Sequence, residues 1–554
     1  MEKIWLKNYP EGVPHEINPD QYKNMLDVFH QACAEFSEQT AFSNMGGRLS
    51  YGELNQLTDD FASYLQHHCH LEKGDRIAIQ LPNVLQFPIA LFGALKAGLT
   101  VVNTNPLYTD REMKHQFNDS GAKAIVILAN FADKLEHILG ETTIEHVVVT
   151  QLGDQLGWPK SLLVNAVVKY LKKMVPSYNL PEAMSFYEAL DIGAGRPHSP
   201  VDSDPEDLAF LQYTGGTTGV SKGAMLTHKN ITSNMQQIRA VLAPFLESGK
   251  EIVITPLPLY HIFSLTVNCL ALMSYGAENV LITNPRDIPD FIKTLKKQPF
   301  TLITGVNTLF NGLMNHPDFK TVDFSTLKFS VAGGMALQQA VAEKWFEVTG
   351  TKVIEGFGLT ETSPVAAVNP LDGTDKVGSI GLPVPSTEIK MVDENNREVP
   401  MGEPGELCIK GPQVMKGYWL RDDETANVML GDGWLKTGDI AVIDDKGFIK
   451  IVDRKKDMIL VSGFNVYPNE IEDVVAKHEQ VLEVAAVGVP DEKSGEAVKL
   501  FVVKKIPSLT EDELRDFCNK SFVAYKRPKF IEFRSELPKT NVGKILRRAL
   551  REGQ

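Results

Sequence analysis

The apolar positions of this chain change their period along its length, and the changes divide it into parts. From Met25 to Phe36 they recur at helical spacing, and after Ser50 a second helix carries Leu54, Leu57, Phe61 and Leu65 on one face. Short apolar runs then alternate with helical stretches: strand Arg76–Gln80, helix 84–97, strand Leu99–Val102, helix 110–118, and strands Ala124–Leu128 and His146–Thr150. These runs are apolar throughout, as parallel strands covered on both faces require. The rhythm resumes at 223 with strand Gly223–Leu226, Thr227 as an N-cap, and a helix with Ile231, Met235, Ile238 and Leu242 on one face. Further strands fall at 251–255, 279–283, 300–304, 327–331 and 352–355, with helices between them.

Beyond Gly378 the pattern becomes short strands separated by turns such as Asp445-Lys446-Gly447. Thr387–Val392, Gly405–Lys410, Ile440–Ile443 and Phe448–Val452 read as a small antiparallel β unit. The end of the chain holds a helix from about 468, strands at 482–489 and 498–503, a helix at 511–520 and a strand at 529–533. The expected fold class is therefore α/β. A large N-terminal domain of βα-layered sheets spans 1–453, with a β-rich subregion at about 378–453, and an α+β C-terminal domain spans 454–554. One stretch, 157–178, breaks the rhythm. At 100° per residue, Leu163, Val164, Val167, Tyr170, Leu171 and Met174 share a face, with Lys169, Lys172 and Lys173 opposite and Trp158 in front. The simpler reading packs this face on its own domain; the sharper one rests it on an anionic membrane.

Composition narrows the class. A 554-residue chain with 43% hydrophobic residues describes a soluble globular protein of two or more domains. Its net charge of −14 argues against nucleic acid as a partner, and means that an anionic substrate must be held by locally concentrated donors. The five cysteines (Cys33, Cys69, Cys269, Cys408, Cys518) are scattered, odd in number and without metal-ligand spacing, which fits the reducing cytoplasm. Met1 to Trp5 has no apolar signal-peptide core, and no run reaches the length of a membrane span.

The chemistry concentrates in five segments. In Tyr213-Thr214-Gly215-Gly216-Thr217-Thr218-Gly219-Val220-Ser221-Lys222-Gly223, glycines free backbone N–H groups to turn around an anion, and threonine hydroxyls and Lys222 add donors. A strand follows the lysine, so this loop joins two strands and is not of the Walker type, where the lysine opens a helix. Gly356-Phe357-Gly358-Leu359-Thr360-Glu361 follows a strand, where open α/β sheets hold ligands; Phe357 could stack on a purine and Glu361 could bind magnesium. Trp434-Leu435-Lys436-Thr437-Gly438-Asp439 ends in a carboxylate suited to ribose hydroxyls. Asp453-Arg454-Lys455-Lys456-Asp457 is a charge run, and Pro538 to Arg548 is a basic stretch around Gly543-Lys544. Each has an ordinary alternative, as a turn, a solvated face or a basic tail.

Together and in this order, the five segments resemble the acyl-adenylate-forming (AMP-binding) enzymes, and residues 431–456 resemble the signature stretch of fatty acyl-CoA synthetases. The resemblance covers almost the whole chain. It implies a long-chain acid activated with ATP to acyl-AMP plus pyrophosphate, then passed to CoA, feeding β-oxidation. By matching positions, Thr214 to Lys222 would hold the β- and γ-phosphates, with Tyr213 beside them; Thr214 and Glu361 would lie near Mg²⁺. Gly356, Phe357 and Gly358, with Thr360, would line the adenine site, and Asp439 and Arg454 would bind the ribose. Lys544 would bridge the carboxylate and the α-phosphate, and His261 matches an aromatic position beside the acyl carboxylate and the thiol. The resemblance makes the C-terminal domain mobile: Lys456 matches the hinge, and Gly463 would then face the CoA tunnel.

The acyl pocket is expected behind Ala332-Gly333-Gly334-Met335 and near 306–313, where Gly305, Gly312, Gly333 and Gly334 could leave a channel open, although glycine also simply allows close packing. Peripheral contact with the cytoplasmic face of the inner membrane and a homodimer are both compatible with this reading. Two departures stand out: Val220-Ser221 where many relatives have Leu-Pro, and Phe357 where Tyr is common, which keeps stacking and loses a phenolic hydrogen bond. Ligases for aryl or medium-chain acids, ligases that hand acyl-AMP to a carrier protein, and a fatty-acid-binding protein without turnover are the alternatives.

Overall fold

The computed structural model describes residues 2–214, 221–491, 493–540 and 543–552. Gly215, Gly216, Thr217, Thr218 and Gly219 lie outside the described residues. Two large sheets form the N-terminal part. One has nine strands, with Ile252–Thr255, Leu302–Gly305, Phe329–Gly333 and Val353–Gly358 as its parallel centre. The other has eight, with His146–Thr150, Ala122–Leu128, Arg76–Gln80, Thr100–Asn103 and Leu208–Thr214 running parallel. Buried Ile77, Ile79, Val101, Val126, Phe210 and Leu302 belong to one shared core, as continuous apolar runs demand.

The phosphate-type loop does join two strands: Leu208–Thr214 pairs antiparallel with Lys222–Thr227, with Thr214 opposite Lys222. Thr227 caps helix His228–Leu242 by accepting from Asn230 N at 3.1 Å. A five-stranded antiparallel sheet follows, containing Glu388–Val392, Gly405–Lys410, Trp434–Ile443 and Ile449–Arg454. Another five-stranded sheet, built on the long hairpin Val481–Asp491 with Gly495–Lys504, forms the C-terminal part around its own core of Ile459, Ile471, Val484, Leu500, Val502 and Leu514. Two strands are longer than expected. Gly356 to Gly358 lies inside strand Val353–Gly358, paired antiparallel with Val365–Val368, and does not follow that strand. Likewise the segment ending at Asp439 is part of strand Trp434–Ile443.

The structure overturns the simpler reading of 157–178. Helix Lys160–Ala166, continued by a π-turn over Val167–Leu171, faces its apolar side outward: Trp158, Leu162, Leu163, Tyr170, Leu171 and Met174 are 52–84% exposed. Ser161 and Val168 are buried and Asn165 half-buried, a narrow stripe at positions four and three apart. The reason is polar. Asn165 Nδ2 donates to Asp154 Oδ1 at 2.8 Å and its Oδ1 accepts Gly153 N at 2.8 Å, while Thr150 Oγ1 and Gln151 N donate to Asp154 Oδ2. A buried carboxylate must keep such donors, so Asn165 points inward with Val168 while the larger apolar residues named above point out.

Replacing Asn165 by Ala should therefore lower stability by about 1–2 kcal/mol. It should also speed proteolytic cleavage within 157–175, read by thermal melting and by limited digestion with mass spectrometry.

Candidate active site

The two large sheets, the antiparallel sheet and the C-terminal part surround a cleft of about 1170 Å³. Its walls include the carboxyl ends of strands Leu208–Thr214, Phe329–Gly333 and Val353–Gly358, the position where parallel sheets open toward ligands. Tyr213, Thr214, Lys222, His261, Gly333, Gly334, Met335, Gly356, Phe357, Gly358, Thr360, Glu361, Asp439, Arg454, Lys456 and Lys544 all line it. Residues separated by more than three hundred positions thus share one space. Gly463 does not: with Ser462 it forms the exposed turn of a hairpin, at φ +51° and +82°. Gly305 and Gly312 do not line it either. The missing Gly305 side chain makes room for the Phe310 ring, whereas a Cβ at Gly312 would meet only Ile288, at an ordinary 3.7 Å.

At the phosphate-type loop, Lys222 pairs with the Glu424 carboxylate and lies 5.1 Å from the Tyr418 ring centre. The Tyr418 hydroxyl donates to Glu361 Oε1 at 2.6 Å. Strand Gly417–Tyr418 pairs with Lys222–Thr227 and so sits against the loop's exit. A second clamp centres on Asp119, whose carboxylate accepts from the Tyr213 hydroxyl at 2.7 Å and from Arg421 at 2.6 Å. Tyr213 thereby anchors the end of strand Leu208–Thr214. Asp119, Tyr418, Arg421 and Glu424 carried no motif in the sequence; only their tertiary contacts reveal them.

Asp439 and Arg454 are direct cross-strand partners, with Arg454 Nε 3.3 Å from Asp439 Oδ1. Burial raises the Asp439 carboxyl to about 6, with Arg454 opposing. Its Oδ2 is buried without a hydrogen-bond partner among the described residues. Lys544 lies against Gly334: a Cβ built there would come 3.0 Å from Lys544 Cε. Burial pulls its ammonium down to about 8, Arg454 acts in the same direction, and Asp439 and Glu361 partly offset them. His261 is held near 3 by burial and by Lys544, so it is a neutral aromatic wall, accepting Phe263 N at 3.3 Å.

The cleft also has an apolar arm that the sequence reading missed. Ile238, Val241 and Leu242, from the helix after the phosphate-type loop, line it together with Val331, Val365 and Leu371. Their spacing looks like any core-facing stripe, so periodicity alone could not separate them from packing.

These features define a class, and sequence comparison agrees. The chain belongs to the family of AMP-binding enzymes, whose model matches residues 29–419, with the AMP-binding enzyme C-terminal domain matching 470–544. It is 59% identical to the long-chain-fatty-acid–CoA ligase of Escherichia coli O6:H1, across 100% of this chain and 98% of that protein. It is 54% identical to the long-chain-fatty-acid–CoA ligase of Haemophilus influenzae over the same shares. Among solved structures, the anthranilate CoA ligase AuaEII in complex with anthranoyl-AMP superposes with a TM-score of 0.86 at 25% identity, over 97% of this chain and 99% of that one.

Glu355 is a buried acid in the same wall that no motif flagged. Its Oε1 accepts Leu337 N at 3.2 Å, and burial raises its carboxyl to about 8, so at neutral pH it is largely protonated. A carboxyl whose folded value lies above its ordinary 4.5 gives its stabilisation below that value and loses it as pH rises toward 8. Glu355→Gln keeps the acceptor and removes the titration. Its unfolding free energy should match wild type near pH 4.5 and exceed it increasingly up to pH 8, by on the order of 1–3 kcal/mol, with a matching rise in thermal midpoint that scanning calorimetry across that range will read.

Proposed function

We propose that this protein is a long-chain fatty acid–CoA ligase with ATP and CoA as co-substrates. The observation that supports it most is the meeting of Lys544 with Thr214, Glu361, Asp439 and Arg454 in a single cleft that also has an apolar arm. A carboxylate is a poor electrophile, and attack on the α-phosphate of ATP converts it to acyl-AMP with release of pyrophosphate. The thiol of CoA then attacks the acyl carbon and AMP leaves.

The chain's own residues supply alignment and charge for the first step. Lys544 would neutralise the oxygens of the carboxylate and the α-phosphate as charge builds between them, which a flexible ammonium suits. Thr214 to Lys222, Gly215, Gly216, Thr217, Thr218 and Gly219 included, would hold the β- and γ-phosphates with Tyr213 beside them, and Lys222 would exchange Glu424 for phosphate. Gly356, Phe357, Gly358 and Thr360 would form the adenine wall, and the free Asp439 Oδ2 with Arg454 would take the ribose hydroxyls. Glu361 and Thr214 offer hard oxygens short of a full cage, which fits Mg²⁺, an ion usually completed by water and phosphate. When bound, the ion would offset the charge of the triphosphate. The apolar arm from Ile238 to Leu371, entered past Gly333, Gly334 and Met335, is where a long chain would lie.

The units 1–453 and 454–554 would alternate about Lys456. In the arrangement seen here Lys544 occupies the cleft; rotation would withdraw it and bring the Gly463 turn toward the CoA path. AMP release from ATP, oleate and CoA tests the reading, and turnover of an aryl acid with none of oleate would overturn it. Lys544→Ala should slow acyl-AMP formation about 10²–10³-fold, while thioester formation from supplied acyl-AMP survives; equal loss of both steps would count against the alternation.

We also assign the outward face of 158–174 to an anionic membrane on the cytoplasmic side. Six large apolar side chains stand in solvent beside Lys160, Lys169, Lys172 and Lys173, the arrangement of an interfacial helix. No helix among the described residues is long and apolar enough to cross a membrane. Wild type should float with vesicles of anionic phospholipid, and Leu171→Glu with Met174→Glu should cut the bound fraction severalfold; equal flotation would end the idea.

A further inference from the structure

Helix Asn307–Asn315 holds no group with a part in the chemistry above, but its first turns carry contacts to both sides of the cleft. Asn307 Nδ2 donates to Gln338 Oε1 at 3.1 Å and Asn307 Oδ1 accepts Gln338 N at 3.0 Å. This fixes the helix start to the loop that follows Gly333, Gly334 and Met335. One residue on, Thr308 Oγ1 donates to the Gly543 carbonyl at 2.9 Å. Asn311 Nδ2, three positions further and on the same face, donates to the Leu482 carbonyl at 3.0 Å. Asn315 Nδ2 donates to Asn311 Oδ1 at 2.9 Å and so orients that amide. Both backbone acceptors lie in the C-terminal part.

The Gly543 contact is next to the cation that matters. Gly543 has φ +83°, and a Cβ there would stand 3.1 Å from both Thr308 Oγ1 and Val306 Cγ2. Glycine is thus needed twice, for its backbone conformation and for the close approach. The base of the loop is closed by Thr540 N donating to the Lys544 carbonyl at 2.7 Å and Lys544 N donating to Thr540 Oγ1 at 3.0 Å. With the loop held on itself and its Gly543 carbonyl held by Thr308, the Lys544 stem is laid over Gly334.

We propose that Thr308 is a positioning residue for acyl-AMP formation, and that with Asn311 it is the latch the C-terminal unit releases before thiol transfer. This rests on the ligase reading. The two bonds are made to main-chain carbonyls, which water can take over when the unit turns away, so the latch holds without trapping. The shared helix also means that whatever fills the space beside Gly334 bears on the same element that seats Lys544.

Thr308→Val keeps the shape and removes the donor, and Thr308→Ser keeps the donor. With ATP and oleate and no CoA, single-turnover acyl-AMP formation should slow about tenfold in Thr308→Val, at an unchanged KM for ATP. Thr308→Ser should restore it. Thioester formation from supplied oleoyl-AMP and CoA should run at the wild-type rate or faster, with the thermal midpoint unchanged. A wild-type first step in Thr308→Val, or equal slowing of both steps, would overturn the proposal. Hydrogen–deuterium exchange of 538–546 gives a readout independent of substrate: it should quicken in Thr308→Val, and unaltered exchange would overturn the latch even if wild type activates no fatty acid. Failure of wild type to make acyl-AMP, with exchange quickened as expected, would instead remove the ligase reading.

Discussion

A lysine ammonium buried beside a guanidinium sets the terms for the rest of this molecule. Burial and Arg454 both disfavour the charge of Lys544, and Asp439 and Glu361 offset only part of that. Such a cation gains most where negative charge is brought beside it, and little elsewhere. Its position therefore has to come from the backbone that carries it and from the wall it lies on. The close approaches at Gly334 and Gly543 give that position, because side chains at either point would push the lysine stem or its loop away.

The support behind Lys544 is ionic and dense. Arg547, three residues on, bonds Glu472 through Nε at 3.1 Å and Nη2 at 2.7 Å, and its Nη2 donates to Asn469 Oδ1 at 2.6 Å. Asn469 N in turn donates to the buried Asp453 Oδ2 at 2.9 Å. The lysine loop is thereby referenced to the strand end where Asp453 begins the charge run, so loop and run keep one geometry. Arg547 is needed because burying Glu472 and Asp453 without a cation would cost several kcal/mol. Burial still leaves the Asp453 carboxyl raised to about 6.

Much of this was readable from residues alone. Continuous apolar runs gave the parallel centres of both large sheets, and the Thr227 cap and the strand–loop–strand setting of Thr214 to Lys222 stand as expected. The described motif residues meet in one cleft, apart from Gly463. What failed did so for physical cause. A helical wheel over 157–178 finds an apolar face but not its direction, since one polar anchor, Asn165 on Asp154, outweighs it. Glycine at 305 reads equally as channel or as close packing, and the Phe310 ring decides. Tyr418 and Glu424 have no local signature, because their work depends on a two-residue strand pairing across nearly two hundred positions, and Asp119 has none because its partners Tyr213 and Arg421 come from distant parts of the chain.

The sequence by itself determined the order of elements and the inventory of donors, cations and acids, because period, caps and glycine-rich turns are properties of neighbouring residues. Only the tertiary structure decided which surfaces face each other: that the helix of Thr308 touches the loop of Lys544, that Asp439 keeps an oxygen free, and that the 158–174 face looks outward. The physical reason is that burial and hydrogen-bond satisfaction are settled over all partners at once, and no local stretch of chain contains them all.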